Sequence, residues 1–176
     1  MPLSSMKLDA GQAFPDFNCK TLNHGDISLK DHTGHWVLFI VYRGAHCGRC
    51  KTYLNTLETQ QQAWYDAGFK IVTVSADPED RARKDAADHG WTFPVGYDLS
   101  EAQMVSMGLY MSDPLSTGET DRRFAEPGVF CIRPDGTIQI VAISNGPSAR
   151  PDLASLLDGM IFTIDNDKPA RGTATP

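Results

Sequence analysis

The stretch VYRGAHCGRC, residues 41–50, lies between an apolar run and a helical pattern and carries Cys47 and Cys50 in a Cys-x-x-Cys spacing. Upstream, residues 36–42 (WVLFIVY) are β-branched and aromatic without alternation, the pattern of a strand buried on both faces. Downstream, Tyr53, Leu54, Leu57 and Trp64 keep helical spacing, and Gly68 stands where a helix takes a left-handed cap. Residues 70–75 (KIVTVS) form a second β-branched run, so strand, helix and strand make a crossover unit with parallel strands. This is an α/β pattern, and it puts Cys47 at a helix N-terminus.

Further along, Asp77-Pro78 reads as an N-cap followed by proline at the first helical position, opening a charged helix that closes at His89-Gly90. Its charges mark a solvated face. Residues 93–97 read as a short strand, 100–107 as a short helix, and the turn-rich 112–123 as a loop. Residues 128–132 and 137–141 flank Arg133-Pro134-Asp135-Gly136, the chemistry of a hairpin connection. From Pro151, the residues Leu153, Leu156, Leu157, Met160, Ile161 and Ile164 recur at helical spacing, and the polar tail after Asn166 reads as frayed.

The 176 residues, 41% of them hydrophobic, suffice for one core. The expected organisation is a lead-in over 1–10, one domain over 11–165 and a polar tail over 166–176. A net charge of −6 with scattered Lys and Arg leaves no basic footprint, so nucleic acid is not an expected partner. The longest apolar stretch falls far short of the roughly 20 residues that cross a bilayer, so no membrane association is expected. The first residues lack the apolar segment of a secretory signal, and a cytoplasmic location follows as the expectation.

Four cysteines, at 19, 47, 50 and 131, are too few and too uneven for the disulfide framework of a small secreted domain. Cys47 and Cys50 therefore need a chemical reason. At a strand-to-helix junction inside a crossover unit, the pair has the placement of a redox dithiol. Helix N–H groups favour a thiolate at Cys47, and Arg43, His46 and Arg49 add positive potential. Cys47 is then the nucleophile and Cys50 the resolving residue. A zinc knuckle would need four ligands, and His46, Cys19 and Cys131 supply no second pair. Cys19 and Cys131 read as small buried hydrophobes. No bound cofactor or metal is required.

The segments "YRGAHCGRC", "TFPVGYD", "EPGVFCIRPDG" and "ISNGPSARPD" occur in the order in which peroxiredoxin-like proteins place them. Over residues 11–165 the chain resembles the thioredoxin superfamily, specifically its peroxiredoxin-like members related to alkyl hydroperoxide reductase and thiol-specific antioxidant proteins. The resemblance implies a thioredoxin-like three-layer sandwich, a central mixed β-sheet flanked by helices. Typical peroxiredoxins carry Pro-x-x-x-Thr/Ser-x-x-Cys and an arginine three residues before a later phenylalanine. In this chain Ile40 stands at that proline, Gly44 at the hydroxyl residue and Pro127 at the arginine, three residues before Phe130. Thioredoxin-like reductases instead place a cis-proline before that strand, and Glu126-Pro127 takes its position.

The departures at 44 and 127 favour a thiol–disulfide oxidoreductase built on Cys47-Gly-Arg-Cys50. A peroxidase reducing hydrogen peroxide or alkyl hydroperoxides through Cys47 is the next reading, and a non-catalytic redox-sensing module the third. Arg43 either supplies the charge that peroxide reduction needs or pairs with an acidic neighbour. Glu126 either takes a proton from Cys50 or is a solvent-exposed loop acid. The implied partners are an external thiol reductant, such as a thioredoxin or glutathione system, and a protein disulfide or peroxide substrate. A homodimer through residues 93–97 or 112–123 is a further expectation of the resemblance.

Overall fold

β3 (Trp36–Val41) is the central strand of a mixed five-stranded sheet, and the computed structural model, which describes residues 6–175, builds outward from it. In chain order the elements are β1 (Asn18–Lys20), β2 (Asp26–Ser28), β3, α1 (Gly48–Asp66), β4 (Phe69–Val74), α2 (Glu79–His89), β5 (Val95–Gly96) and α3 (Glu101–Ser106). There follow β6 (Met111–Ser112), β7 (Phe124–Ala125), β8 (Gly128–Ile132), β9 (Ile138–Ile143) and α4 (Leu153–Asp165). The sheet order is β5-β4-β3-β8-β9. β3 pairs parallel with β4, as the crossover through α1 requires, and antiparallel with β8, which pairs in turn with β9 as a hairpin.

Because successive side chains of a strand point to opposite faces, β3 feeds two cores at once. Leu38 and Ile40, with Tyr42 just beyond, pack with Leu54, Leu57 and Trp64 of α1 and Leu153, Leu157 and Met160 of α4. Val37, Phe39 and Val41 pack on the other face with Phe17, Met104, Met107, Phe124 and Phe130. Both faces of the sheet are covered, which makes the expected three layers. Among the described residues, no helix is long and apolar enough to cross a membrane.

Several local expectations need correcting. Asp77 does not cap α2: Pro78 is the N-cap residue and no side chain caps the helix, because the Asp77 carboxylate is turned to the β3–α1 turn instead. Glu79, Asp80, Arg83, Lys84 and Asp88 of α2 form the expected solvated face, and Asp85 is the exception: it is buried and meets Lys51 of α1 at 3.5 Å and His89 at 3.3 Å. Residues 112–123 are bounded by a short antiparallel pair, β6 with β7. The Glu126–Pro127 peptide is trans, so the cis-proline drawn from the resemblance is absent. The chain after α4 is not free at first: Arg133 donates to the Lys168 carbonyl at 3.2 Å and Gln139 to that of Pro169 at 3.3 Å. Residues 1–5 of the expected lead-in lie outside the described residues.

Phe39 has no solvent exposure and meets Phe14, Phe17 and Phe130 with ring centroids 5.2, 4.8 and 6.2 Å away. Phe39→Ala should lower the unfolding free energy by about 3–5 kcal/mol. Urea denaturation monitored by circular dichroism checks this, with an unchanged transition midpoint as the contrary result.

Candidate active site

β3 ends at Val41, and the chain leaves the sheet through residues 42–46 before Cys47 caps α1. The turn is shaped by Asp77, which follows the end of β4. This carboxylate is 2% exposed and accepts the Ala45 N–H at 2.6 Å. Gly44 takes φ +129°, and a Cβ there would lie 2.8 Å from both Asp77 carboxylate oxygens. A threonine or serine at 44, the residue typical of peroxiredoxins, has no room. Burial pushes the Asp77 carboxyl up from its ordinary range, and the bond from Ala45 pulls it part of the way back.

Cys47 is the N-cap of α1, and its Sγ accepts the Cys50 N–H at 3.3 Å. The Cys47 thiol is drawn well below the ordinary range. The Cys50 thiol hydrogen bond is the largest cause, joined by the Cys50 N–H, the Arg43 side chain and the charge of Arg150, all acting against burial. Cys50 goes the other way, raised by burial and by holding its proton toward Cys47, with Arg150 opposing. Two thiols one helical turn apart are thus driven apart, one toward thiolate and one toward thiol. Cys47 is 3% exposed and Cys50 is fully buried.

Arg43 is positioned between acids. Its Nε lies 3.1 Å from Glu126 Oε2, an ion pair whose N–H is not aligned as a hydrogen bond, and its Nη2 lies 3.5 Å from Glu119 Oε1. Its guanidinium also stacks on Phe124 at 4.9 Å, and its charge favours the Cys47 thiolate. Of the two expectations for Arg43, the structure shows the pairing with acidic neighbours, and the guanidinium keeps further donors beyond those the carboxylates engage. Glu126 is 4% exposed, so it is not a solvent-exposed loop acid. Its other oxygen accepts the Ser112 hydroxyl at 2.7 Å.

Residues 113–123 lie against this side of the site. Arg81 holds them through the Thr120 hydroxyl at 2.9 Å and the Glu119 carbonyl at 3.3 Å. His46 packs edge-on against Phe124 at 4.6 Å with both ring nitrogens buried and unpartnered among the described residues. Burial, then the nearby Arg43, lowers its pKa to about 4. His46 is therefore neutral and adds no positive potential. Arg49 is exposed, on the outside of the first turn of α1. Pro127 begins the approach to β8, and its carbonyl accepts the Ser144 N–H at 3.1 Å. Cys131 is buried in β8, and Cys19 is raised to about 12 by burial and Asp26.

The structure thus brings Arg43, Cys47, Cys50 and Glu126 together, leaves Arg49 outside, and adds Asp77, Glu119 and Arg150. These three lie distant in sequence from the cysteines, and among them only Arg150 fell within a segment that the resemblance singled out.

A thioredoxin-type fold with a dithiol at the start of α1 and a cation on its first sulfur defines a thiol-dependent oxidoreductase. Residues 10–141 match the AhpC/TSA family, and the chain belongs to it. It is 28% identical over 163 residues to alkyl hydroperoxide reductase C of Bacillus subtilis, covering 87% of this chain and 80% of that protein. It is 24% identical over 165 residues to a thioredoxin peroxidase of Echinococcus granulosus, covering 87% and 81%. Among solved structures, Mycobacterium tuberculosis AhpC superposes with a TM-score of 0.73 at 19% identity, covering 93% of this chain and 96% of that one. Peroxidoxin BcpB of the same organism gives 0.71 at 16%, covering 90% and 97%.

Two consequences can be measured. The alkylation rate of Cys47 by iodoacetamide, followed site by site by mass spectrometry, should stay high at neutral pH and fall only as pH drops well below the ordinary thiol value of about 8.5. Arg43→Met should move that midpoint upward, since it removes a cation that favours the thiolate and leaves its partners Glu119 and Glu126 unpaired; an unmoved midpoint contradicts the assignment. Gly44→Ser should cost about 1–3 kcal/mol in thermal or urea unfolding, through overpacking against Asp77.

Proposed function

We propose that this protein is a two-cysteine peroxidase, and that Cys47 reduces hydrogen peroxide or a small alkyl hydroperoxide. The observation that carries the reading is the 3% exposure of a thiolate-favouring sulfur. Exchange with a protein disulfide requires the substrate's sulfur to approach Cys47 in line, with its own backbone alongside. A peroxide brings only two oxygens. Family membership supports the same choice, and together they outweigh the disulfide-exchange reading that Gly44 and Pro127 favour.

In the proposed cycle the Cys47 thiolate attacks the terminal peroxide oxygen. The O–O bond breaks, Cys47 becomes a sulfenic acid, and the alkoxide or hydroxide leaving group takes a proton to depart as alcohol or water. Arg43 supplies the fixed positive charge, in the role of the arginine absent at 127. Cys50 then attacks the sulfenic sulfur, giving the Cys47–Cys50 disulfide and water. An external dithiol returns two electrons. A thioredoxin-type reductant is the natural candidate, in keeping with the thioredoxin peroxidase relative. A reducing compartment such as the cytoplasm fits this need, and a homodimer through residues 93–97 or 112–123 belongs to the same proposal.

The test is stopped-flow tryptophan fluorescence after mixing reduced protein with hydrogen peroxide, and separately with cumene hydroperoxide. Oxidation of Cys47 orders of magnitude faster than a free thiolate, lost in Cys47→Ser, is the expected result. Cys50→Ser should keep the first phase and accumulate sulfenic and then sulfinic acid. A rate no better than free cysteine, together with turnover of insulin disulfides, would replace the peroxidase with the reductase.

A further inference from the structure

We propose that Arg150 is a further catalytic residue, which holds Cys50 Sγ in line and carries the counter-charge for the thiolate through which Cys50 closes the disulfide. The inference rests on the two-cysteine cycle proposed above and assigns its second step.

Arg150 stands a hundred residues from Cys50 in sequence, yet its Nη2 lies 2.8 Å from Cys50 Sγ. Its guanidinium is fixed by the surrounding chain. It stacks on the Tyr53 ring at 5.1 Å, and the Tyr53 hydroxyl donates to the Pro151 carbonyl at 2.8 Å, fastening the segment after β9 to α1. Ser144 and Ala149 both bond to the Gly146 carbonyl, which shapes the approach. Asp152 caps α4 through the Ser155 N–H, so its carboxylate is spent on the helix rather than on Arg150.

The decisive contrast is with Arg43. Arg43 has two carboxylates, whereas among the described residues no carboxylate makes an ion pair with Arg150. Arg150 Nε and Nη1 are closed off from solvent with no hydrogen-bond partner. Arg150 as a whole is partly exposed, yet polar nitrogens shut off from solvent in this way are ordinarily paired, since leaving a charged group's donors unsatisfied is costly. The one group at which it aims is a thiol, and the pairing becomes complete only when that thiol loses its proton.

Resolution needs that event. A fully buried thiol resists ionisation, and Cys50 is further held as a thiol while it donates to the Cys47 thiolate. Once Cys47 is a sulfenic acid, that anion is gone. Cys50 gives its proton to solvent, its sulfur attacks the Cys47 sulfur, the S–O bond breaks, and the departing hydroxide takes up a proton as water. Arg150 supports the anion that exists between the first and second of these events. A charge-assisted contact of this kind corresponds to a loss of about tenfold or more when it is removed.

The experiment uses the full chain with Arg150→Gln and Arg150→Lys. In single-turnover reactions with hydrogen peroxide, the Cys47 sulfenic acid is trapped with dimedone and disulfide formation is timed across pH. Arg150→Gln should slow disulfide formation by about tenfold or more and move its pH midpoint upward, with Arg150→Lys recovering much of both. Far-ultraviolet circular dichroism and thermal unfolding of the same samples report whether the fold is kept. Disulfide formation as fast as the parent, or slowed with an unmoved midpoint, overturns the proposal and leaves Arg150 as packing. A second readout does not depend on peroxide at all. In Cys47→Ala protein, the Cys50 thiolate is titrated by its ultraviolet absorbance against a Cys47→Ala, Cys50→Ala control, and Arg150→Gln should raise the midpoint. If Cys47 fails to react with peroxide, the peroxidase reading falls, while this titration still decides the role of Arg150.

Discussion

The contact between the Asp77 carboxylate and the Ala45 N–H is the constraint on which the site depends. A carboxylate 2% exposed is costly unless it is satisfied, and the N–H at 2.6 Å is what satisfies it. That bond ties the residue after β4 to the turn leaving β3, so the crossover unit fixes its own active-site loop. It also dictates the residue before Ala45. With the carboxylate seated there, position 44 has no space for a Cβ, and the hydroxyl that helps peroxiredoxins hold peroxide is excluded by geometry. The chain's departure from the family pattern at Gly44 is therefore a packing consequence of Asp77.

The charge distribution follows from what remains. Pro127 takes the position of the usual arginine, and in the proposed cycle Arg43, at the end of the β3 run, is the cation that takes over its role. Its two carboxylate partners, at 3.1 and 3.5 Å, hold the guanidinium in place beside Phe124. His46, at the same turn, is kept neutral by burial. Both cations, Arg43 and Arg150, favour the Cys47 thiolate, but only Arg150, which has no acidic ion-pair partner among the described residues, donates to Cys50 Sγ, while Arg43 is held by its two acids. That asymmetry suits a step sequence in which Cys47 is anionic first and Cys50 only afterward.

The α/β core was legible because its signals are local. Residues 36–42 lack alternation since β3 truly has two buried faces, and Leu54, Leu57 and Trp64 keep a helical period since α1 has one. The hairpin at Pro134-Gly136 carries its own turn chemistry. What the sequence hid was decided by contacts between distant residues. The pairs β1–β2 and β6–β7 are too short to show a period. Asp77 has the local look of a helix cap, yet a neighbouring turn competes for its carboxylate and wins. Glu126 sits beside a proline in an otherwise apolar stretch, FAEPGVF over 124–130, and nothing near it in sequence reveals that it will meet Arg43. The cis-proline came from resemblance rather than from the residues, and it is there that the expectation failed.

Burial of the dithiol also sets unequal demands on the two halves of a redox cycle. A peroxide can reach a sulfur that is 3% exposed, but the reductant must bring its own sulfur in line with the disulfide. The walls differ in how firmly they are held. Residues 113–123 are fastened by Arg81 and Arg43, and the segment bearing Arg150 by Tyr53. The first turn of α1, in contrast, has exposed Gly48 and Arg49 on its outside, and helix ends open at lower cost than packed interiors. Both cysteines lie in that turn. In the proposed cycle the element that must yield to admit a reductant is therefore the one that carries both cysteines, which would couple oxidation and access through a single turn of helix.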